Sequence, residues 1–259
     1  MVPQAPTPAF LTESSDIPEA AWIELDPGAK VTAKHPLSTR ETAFQGPGRF
    51  RSCVGRAEEA WIEKGKFESV VGSGERPGAE EWLFTPAGVV RYGAAKVDLT
   101  VTSSGAGDSK TEVKVASGTA YVWTADEAGP VKPAVPAAKG APPVADGWTR
   151  LEGEHGMTLT LKKPAKPQDA AEAAIALCKT DAKAAREIGM QIANPDANLA
   201  VNAPKQVIAR HQARAACGVA MLRAYALDSA AGRDAMVMAA READSEWKGR
   251  PRAPHVRPH

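Results

Sequence analysis

The chain changes its hydrophobic period once. Up to residue 161 apolar and polar residues alternate in short runs broken by glycine and proline, and beyond residue 168 apolar residues recur at steps of three and four. The first pattern fits half-buried strands and the second amphipathic helices. The expected class is therefore α+β, with every strand ahead of every helix. The switch falls at "KKPAKPQ", residues 162–168. A chain of 259 residues, 43% of them apolar, can bury a sizeable core and has room for one large or two small domains.

In the strand half, "AAWIELDPGAKVTA" alternates around Asp26-Pro27-Gly28, "ETAFQGPGRFRSCV" around Gly46-Pro47-Gly48, and "EEAWIEKGKFESVV" around Lys64-Gly65. Proline fixes φ and glycine accepts positive φ, so each unit reads as strand, turn, strand. The units return about every 20 residues, which predicts a stacked or meandering all-β domain, solenoid-like or sandwich. Strand-like sequence continues through "EEWLFTPAGVVRYGAAKVDLTVT", "KTEVKVASGTAYVWTA" and "GWTRLEGEHGMTLTLKK". Residues 128–146, rich in proline and alanine, interrupt it as a surface loop. The expected organisation is a Pro-containing arm over 1–19, a β domain over 20–163, a helical domain over 164–249 and a loose basic tail over 250–259.

The first helix is expected from Gln168 or Asp169 to Ile192, with Ile175, Cys178, Ala182, Ala185, Ile188 or Gly189, and Ile192 on one face. Asn194-Pro195-Asp196 ends it. A second helix begins after Asn202, its N-cap, with Pro204 in the first turn. A third runs from Asp228 to Trp247.

Cys178 precedes the midpoint of the inter-helix connection by about as many residues as Cys217 follows it. In an antiparallel hairpin equal distance from the turn means equal height, because both helices rise about 1.5 Å per residue. The two thiols are therefore expected to face each other as a disulfide. Such a bond persists in oxidising compartments, and it decides between a cytosolic protein and an exported one whose signal segment has been removed. The expected location is periplasmic or outer-membrane-associated, with lipidation left open. Cys53, in "RFRSCV", reads as a buried strand thiol.

No pattern announces catalysis, a cofactor or a metal. His211 and Cys217 are six residues apart, about 240° around a helix and about 9 Å along it, so they cannot share an ion. His211, between Arg210 and Arg214, reads as a partly exposed helix residue. CxxC and HExxH spacings are absent, as are GxSxG and a credible SxxK. "GSGERPG", residues 72–78, lacks the GK[ST] ending of a phosphate loop and reads as a turn. Glu58-Glu59 and Glu80-Glu81 cannot be acid/base pairs, since neighbours on a strand point to opposite faces. They read as polar starts of strands whose tryptophans, Trp61 and Trp82, enter the core, as do Trp22 and Trp123. A net charge of +1 gives no bulk attraction to nucleic acid, and Arg250, Arg252 and Arg257 read as a solvated tail. Apolar runs are broken by charge before the roughly 20 residues of a transmembrane helix.

In order, "IELDPGAKVTA", "FQGPGRFRSC", "WIEKGKFESV", "FTPAGVVRYGAAKVDLTV", "TEVKVASGTAYVW" and "WTRLEGEHGMTL" resemble the rhythm of FecR-like domains over about residues 20–161. These are periplasmic β-rich modules named after the ferric-citrate signalling regulator. "TPAGVVRYGAAKVDLTV", residues 85–101, is the strongest part. After its arginine the match departs, with Ala94-Ala95 and Lys96-Val97 following Gly93 where the family has Gly-Thr and an aromatic. The resemblance implies recognition or scaffolding, a periplasmic location and no catalytic residues. The cytoplasmic segment and membrane span through which the ferric-citrate regulator controls a sigma factor have no counterpart among these residues, so that role is not carried over.

The resulting expectation is a non-enzymatic envelope protein without cofactor, made of a FecR-like β domain and a helical hairpin or small bundle linked by Cys178 and Cys217. Its expected partner is another envelope protein. The alternative is a carbohydrate- or peptidoglycan-binding module, which would need two or more of Trp22, Trp61, Trp82 and Trp148 exposed along a groove.

Overall fold

The computed structural model describes residues 22–34, 41–52, 59–71, 80–103, 109–124, 148–161, 167–192 and 199–248. Cys53, the "GSGERPG" turn, the loop 128–146, the N-terminal arm and the basic tail lie outside the described residues. The described strands are β1 (Trp22–Leu25), β2 (Lys30–Lys34), β3 (Glu41–Ser52), β4 (Glu59–Val70), β5 (Glu81–Thr85), β6 (Gly88–Tyr92), β7 (Lys96–Ser103), β8 (Ser109–Ser117), β9 (Thr119–Thr124), β10 (Trp148–Glu152) and β11 (Gly156–Leu161). Helices α1 (Pro167–Ile192), α2 (Leu199–Leu227) and α3 (Ser229–Lys248) follow. The class expected from the period switch, strands first and helices after, is the one observed.

All eleven strands belong to one hydrogen-bonded sheet, and bent strands fold it into two facing layers. One edge of β4 carries β5 beside its first residues and β7 beside its last. The order β4-β5-β6-β9 forms a front layer and β4-β7-β8 a back layer. The layers rejoin where β8 runs into β9 through Gly118, at φ 80°. The result is a flattened near-barrel, extended at one end by β3 with β1 and β2, and at the other by β10 and β11. All pairings but β4 with β5 are antiparallel, which selects the sandwich over the solenoid.

The Gly-Pro-Gly and Lys-Gly stretches are corners within strands rather than turns between them. Gly46-Pro47-Gly48 lies inside β3 and Lys64-Gly65 inside β4, where the β3/β4 register slips between Gln45 and Arg49. Beside them, Asp26-Pro27-Gly28 does form a turn, with Ala29 N–H donating to the Asp26 carbonyl at 3.0 Å. That turn does not reverse the chain, because β1 and β2 both run antiparallel to β3, end to end along one edge. Three neighbouring chains thus bend at one level. A Cβ on Gly46 would lie 2.1 Å from the Asp26 carbonyl oxygen, and Gly65 holds φ 120°, so both corners require glycine.

The alternation predicted for the strands sorts their side chains between two cores. Facing inward are Ile62, Leu83, Val90 and Val122 from the front layer, and Val97, Leu99, Val113 and Leu159 from the back. A stack of Phe44 on Phe50, with Phe67 edge-on, fills the bend of β3 and β4. One polar link crosses this core: the Thr111 hydroxyl donates to Thr85 Oγ1 at 2.9 Å, and Thr85 in turn holds the Gly88 carbonyl and N–H of the β5–β6 turn. Both threonines are fully buried, so these bonds replace the water they lose.

The helices lie on the outer side of the front layer and share a second core with it. They form a three-helix bundle, the larger of the two forms expected. The helix α2 starts at Leu199, upstream of Asn202, which is therefore inside the helix and not its cap. Between α2 and α3 stands Asp228 alone, whose Oδ1 accepts from the N–H groups of Ala230 and Ala231. It caps α3 as a short polar acceptor is expected to. Cys178 of α1 and Cys217 of α2 are joined by a disulfide, their Cα atoms 4.6 Å apart.

Candidate functional site: a tryptophan and arginine face under the helices

Strand pairing lines up the outward side chains of the front layer in cross-strand rows. One row reads Trp148, Trp123, Val89, Phe84, Trp61, Arg51 and Trp22 across seven strands. The next reads Arg150, Tyr121, Arg91, Trp82 and Glu59 across five. These residues alternate with inward ones, mostly aliphatic or small with Phe50 and Tyr92 among them, so a period of two in sequence separates an inner face from an outer one rich in tryptophan and arginine. The tryptophans enter a core as expected, but it is the one between sheet and helices.

The rings pack on one another. Trp82 stands edge-on to Trp148, with centroids 5.7 Å apart, and Trp22 stacks on Tyr225 of α2 at 4.3 Å. Arg91 sits among Trp82, Tyr121 and Trp148, its guanidinium carbon 5.0–5.7 Å from each centroid. Arg49 lies against both Trp22 and Tyr225. Such contacts attract a cation to the negative face of each ring and strengthen where water is excluded.

At Gly218 the helix α2 lies directly against the sheet. A Cβ there would fall 2.2 Å from the Phe84 ring, so only a glycine lets α2 lie this near the sheet. Ala215, Val219 and Leu222 flank it, all buried. Around this apolar centre run polar clamps. Arg214 donates from Nε to Glu59 Oε1 at 3.0 Å and from Nη2 to Oε2, and its Nη1 lies 3.5 Å from Asp181 of α1. Glu59 and Asp181 are buried, so their charges depend on this partner. Burial is the largest single influence on Arg214 and works against its charge, yet Glu59 and Asp181 together outweigh it and hold its pKa above the ordinary value.

Two further clamps join helix and sheet. His211 Nδ1 meets Arg91 Nη1, and its ring stands edge-on to Trp82. The Arg91 guanidinium has only donors to offer, so the His211 ring nitrogen is the acceptor of this contact. Arg49 bonds Glu63 at 3.0 Å and donates to the Tyr225 hydroxyl at 3.0 Å. Burial pushes the Glu63 carboxyl above its ordinary range, with Arg49 opposing, and burial does the same to Glu80, with Arg91 opposing. Burial also draws Arg51 below its ordinary value, with the Tyr225 phenol opposing.

Of the residues singled out from sequence, His211, Trp22, Trp61, Trp82 and Trp148 come together on this face, whereas Cys178 and Cys217 lie within the bundle behind it. None of the four tryptophans is exposed: Trp61 and Trp148 are buried, and Trp22 and Trp82 half-buried. The open stacking platform that glycan binding would need is therefore not formed by these rings. Glu59, expected as a polar strand start, does open β4 and is in addition a buried clamp, whereas Asp181, Arg49 and Arg91 were not singled out by sequence. Among the described residues no three His, Cys, Asp or Glu side chains gather as a metal site, and no helix is long and apolar enough to cross a membrane.

No family model matches the chain, and no curated protein does. Solved structures similar to it include two crystal structures, at 2.50 and 1.65 Å resolution, of a Parabacteroides distasonis protein described as a candidate anti-sigma factor. Both align with a TM-score of 0.37 and 12% identity, over 59% of this chain and 64% and 65% of that one. This chain thus spans less than two thirds of that neighbour's length. At such identity and score the likeness transfers neither fold nor role.

Proposed function

We propose that this is a non-enzymatic cell-envelope protein, a binding or scaffold module of FecR-like type that engages another envelope protein. The observation that carries this reading is the outer face of the front layer. Tryptophan, tyrosine and arginine crowd there, the residue types that dominate protein recognition, while the inner core of the same sheet, Tyr92 apart, is aliphatic and phenylalanine-based. The disulfide supports a location outside the cytoplasm, periplasmic or at the outer membrane, since such bonds persist where thiols are not kept reduced.

The test is recovery of the unreduced full chain with its neighbours from the envelope fraction of its own cell. A stoichiometric protein partner is the expected result. Retention on peptidoglycan with no protein partner would overturn the reading.

A further inference from the structure

We infer that the outer face of the front layer is a helix-recognition surface: it binds in trans a helix of the kind α2 presents, and the chain's own bundle is its exchangeable occupant. This rests on the proposed binding function and names the chemistry of the partner.

The contact combines an apolar centre with charged clamps, the two ingredients of an interface between proteins. Its centre joins Trp61, Phe84, Val89 and Trp148 of the sheet to Ala215, Val219 and Leu222 of α2, and Gly218 lets α2 lie against Phe84 within it. The helix side has a readable pattern: His211, Arg214, Gly218 and Leu222 fall at i, i+3, i+7 and i+11, one face of a helix. They offer an acceptor to Arg91, a cation to Glu59, a small residue to Phe84 and an apolar anchor. A partner helix with the same four features would make the same contacts.

The bundle is also attached in a way that permits exchange. Every described strand precedes it, so residues 162–166 are the single covalent connection between Leu161 and Pro167. The disulfide joins α1 to α2 and leaves the sheet free. Nor is the bundle a full complement to the face. Among the described residues the indole N–H groups of Trp22, Trp61 and Trp148 are buried there without an acceptor, and Trp61 and Trp148 are each 5% exposed. A buried donor left unpaired costs free energy, so a helix that brings carbonyl or carboxylate oxygens to these positions would bind better than α2 does.

The experiment uses the full chain with a protease site in place of residues 162–166, cleaved after folding with the disulfide intact. The probe is a synthetic peptide of residues 205–227 with Cys217→Ser, set against the same peptide with Gly218→Leu. The native-sequence peptide is expected to displace the bundle from the nicked protein, followed by size exclusion and tryptophan emission. It should do so at concentrations at least about tenfold lower than the leucine peptide, a difference of about 1.4 kcal/mol. Equal displacement by both peptides, or a bundle that stays in place until the sheet itself unfolds, would overturn the inference. Only purified protein is involved, so a failed envelope recovery and a failed displacement are separate results.

Discussion

Arg214 of α2 closes on the carboxylate of Glu59 of β4 across a sequence separation of 155 residues, with Nε to Oε1 at 3.0 Å. It ties the helical layer of the molecule to the strand that both sheet layers share. Removing the arginine would take its cation away from two buried carboxylates, Glu59 and Asp181. Arg214→Met is expected to cost about 3–5 kcal/mol, and adding Glu59→Gln to recover most of it. Urea unfolding of the two single variants and the double variant measures this. Additive losses would contradict the clamp.

Loss of the Cys178–Cys217 bond has a different signature. It closes a loop of 39 residues, and its removal by a double Cys→Ala change is expected to cost up to about 4 kcal/mol in the chain-entropy view. The bundle should be affected more than the sheet. Hydrogen exchange resolved by segment tests this, with α1 and α2 predicted to lose protection while β7 and β8 retain it.

Gly218→Leu puts a side chain where Phe84 already is. Overpacking of this kind typically costs about 1–3 kcal/mol, and here it is expected to lift α2 and shift tryptophan emission to longer wavelength. An unchanged emission spectrum with unchanged stability would mean that α2 does not approach the sheet as described.

Glu63 gives a pH signature. Burial raises its pKa in the folded state, so the folded protein holds this proton more tightly than the unfolded chain. Its stabilising contribution is full below the unfolded value near 4.5 and is lost as pH rises through the raised folded one. Relative to Glu63→Gln, which cannot titrate, the native protein should therefore gain stability as pH falls from neutral toward 4.5. Denaturant titrations at several pH values check the sign, and a gap that widens in the opposite direction contradicts it.

Much of this was legible in sequence for local reasons. Alternation marked the strands, and the level placement of Cys178 and Cys217 followed from helical rise alone. The same arithmetic contained the clamp: Asp181 lies three residues after one cysteine and Arg214 three before the other, so on antiparallel helices they too stand level. Their opposite charges were the signal. Gly46-Pro47-Gly48 was not legible as a corner, because the tripeptide bends a chain whether or not the chain reverses. What decides is the ladder continuing on both sides of it, to β4 and to β1 and β2, and those pairings join residues far apart in sequence. The side of the sheet that the helices cover was hidden for the same reason, although the outward spacing of Trp61, Trp82, Trp123 and Trp148 contained it once the register was known.

The central claim is that the C-terminal bundle lies over the tryptophan and arginine face. Hydroxyl-radical footprinting of the unreduced chain, read by mass spectrometry, tests it most directly. Trp61, Phe84 and Trp148 are predicted to be strongly protected, and to become reactive together when the bundle is released by Gly218→Leu. Labelling of these three in the native protein at the rate of the unfolded chain would contradict it.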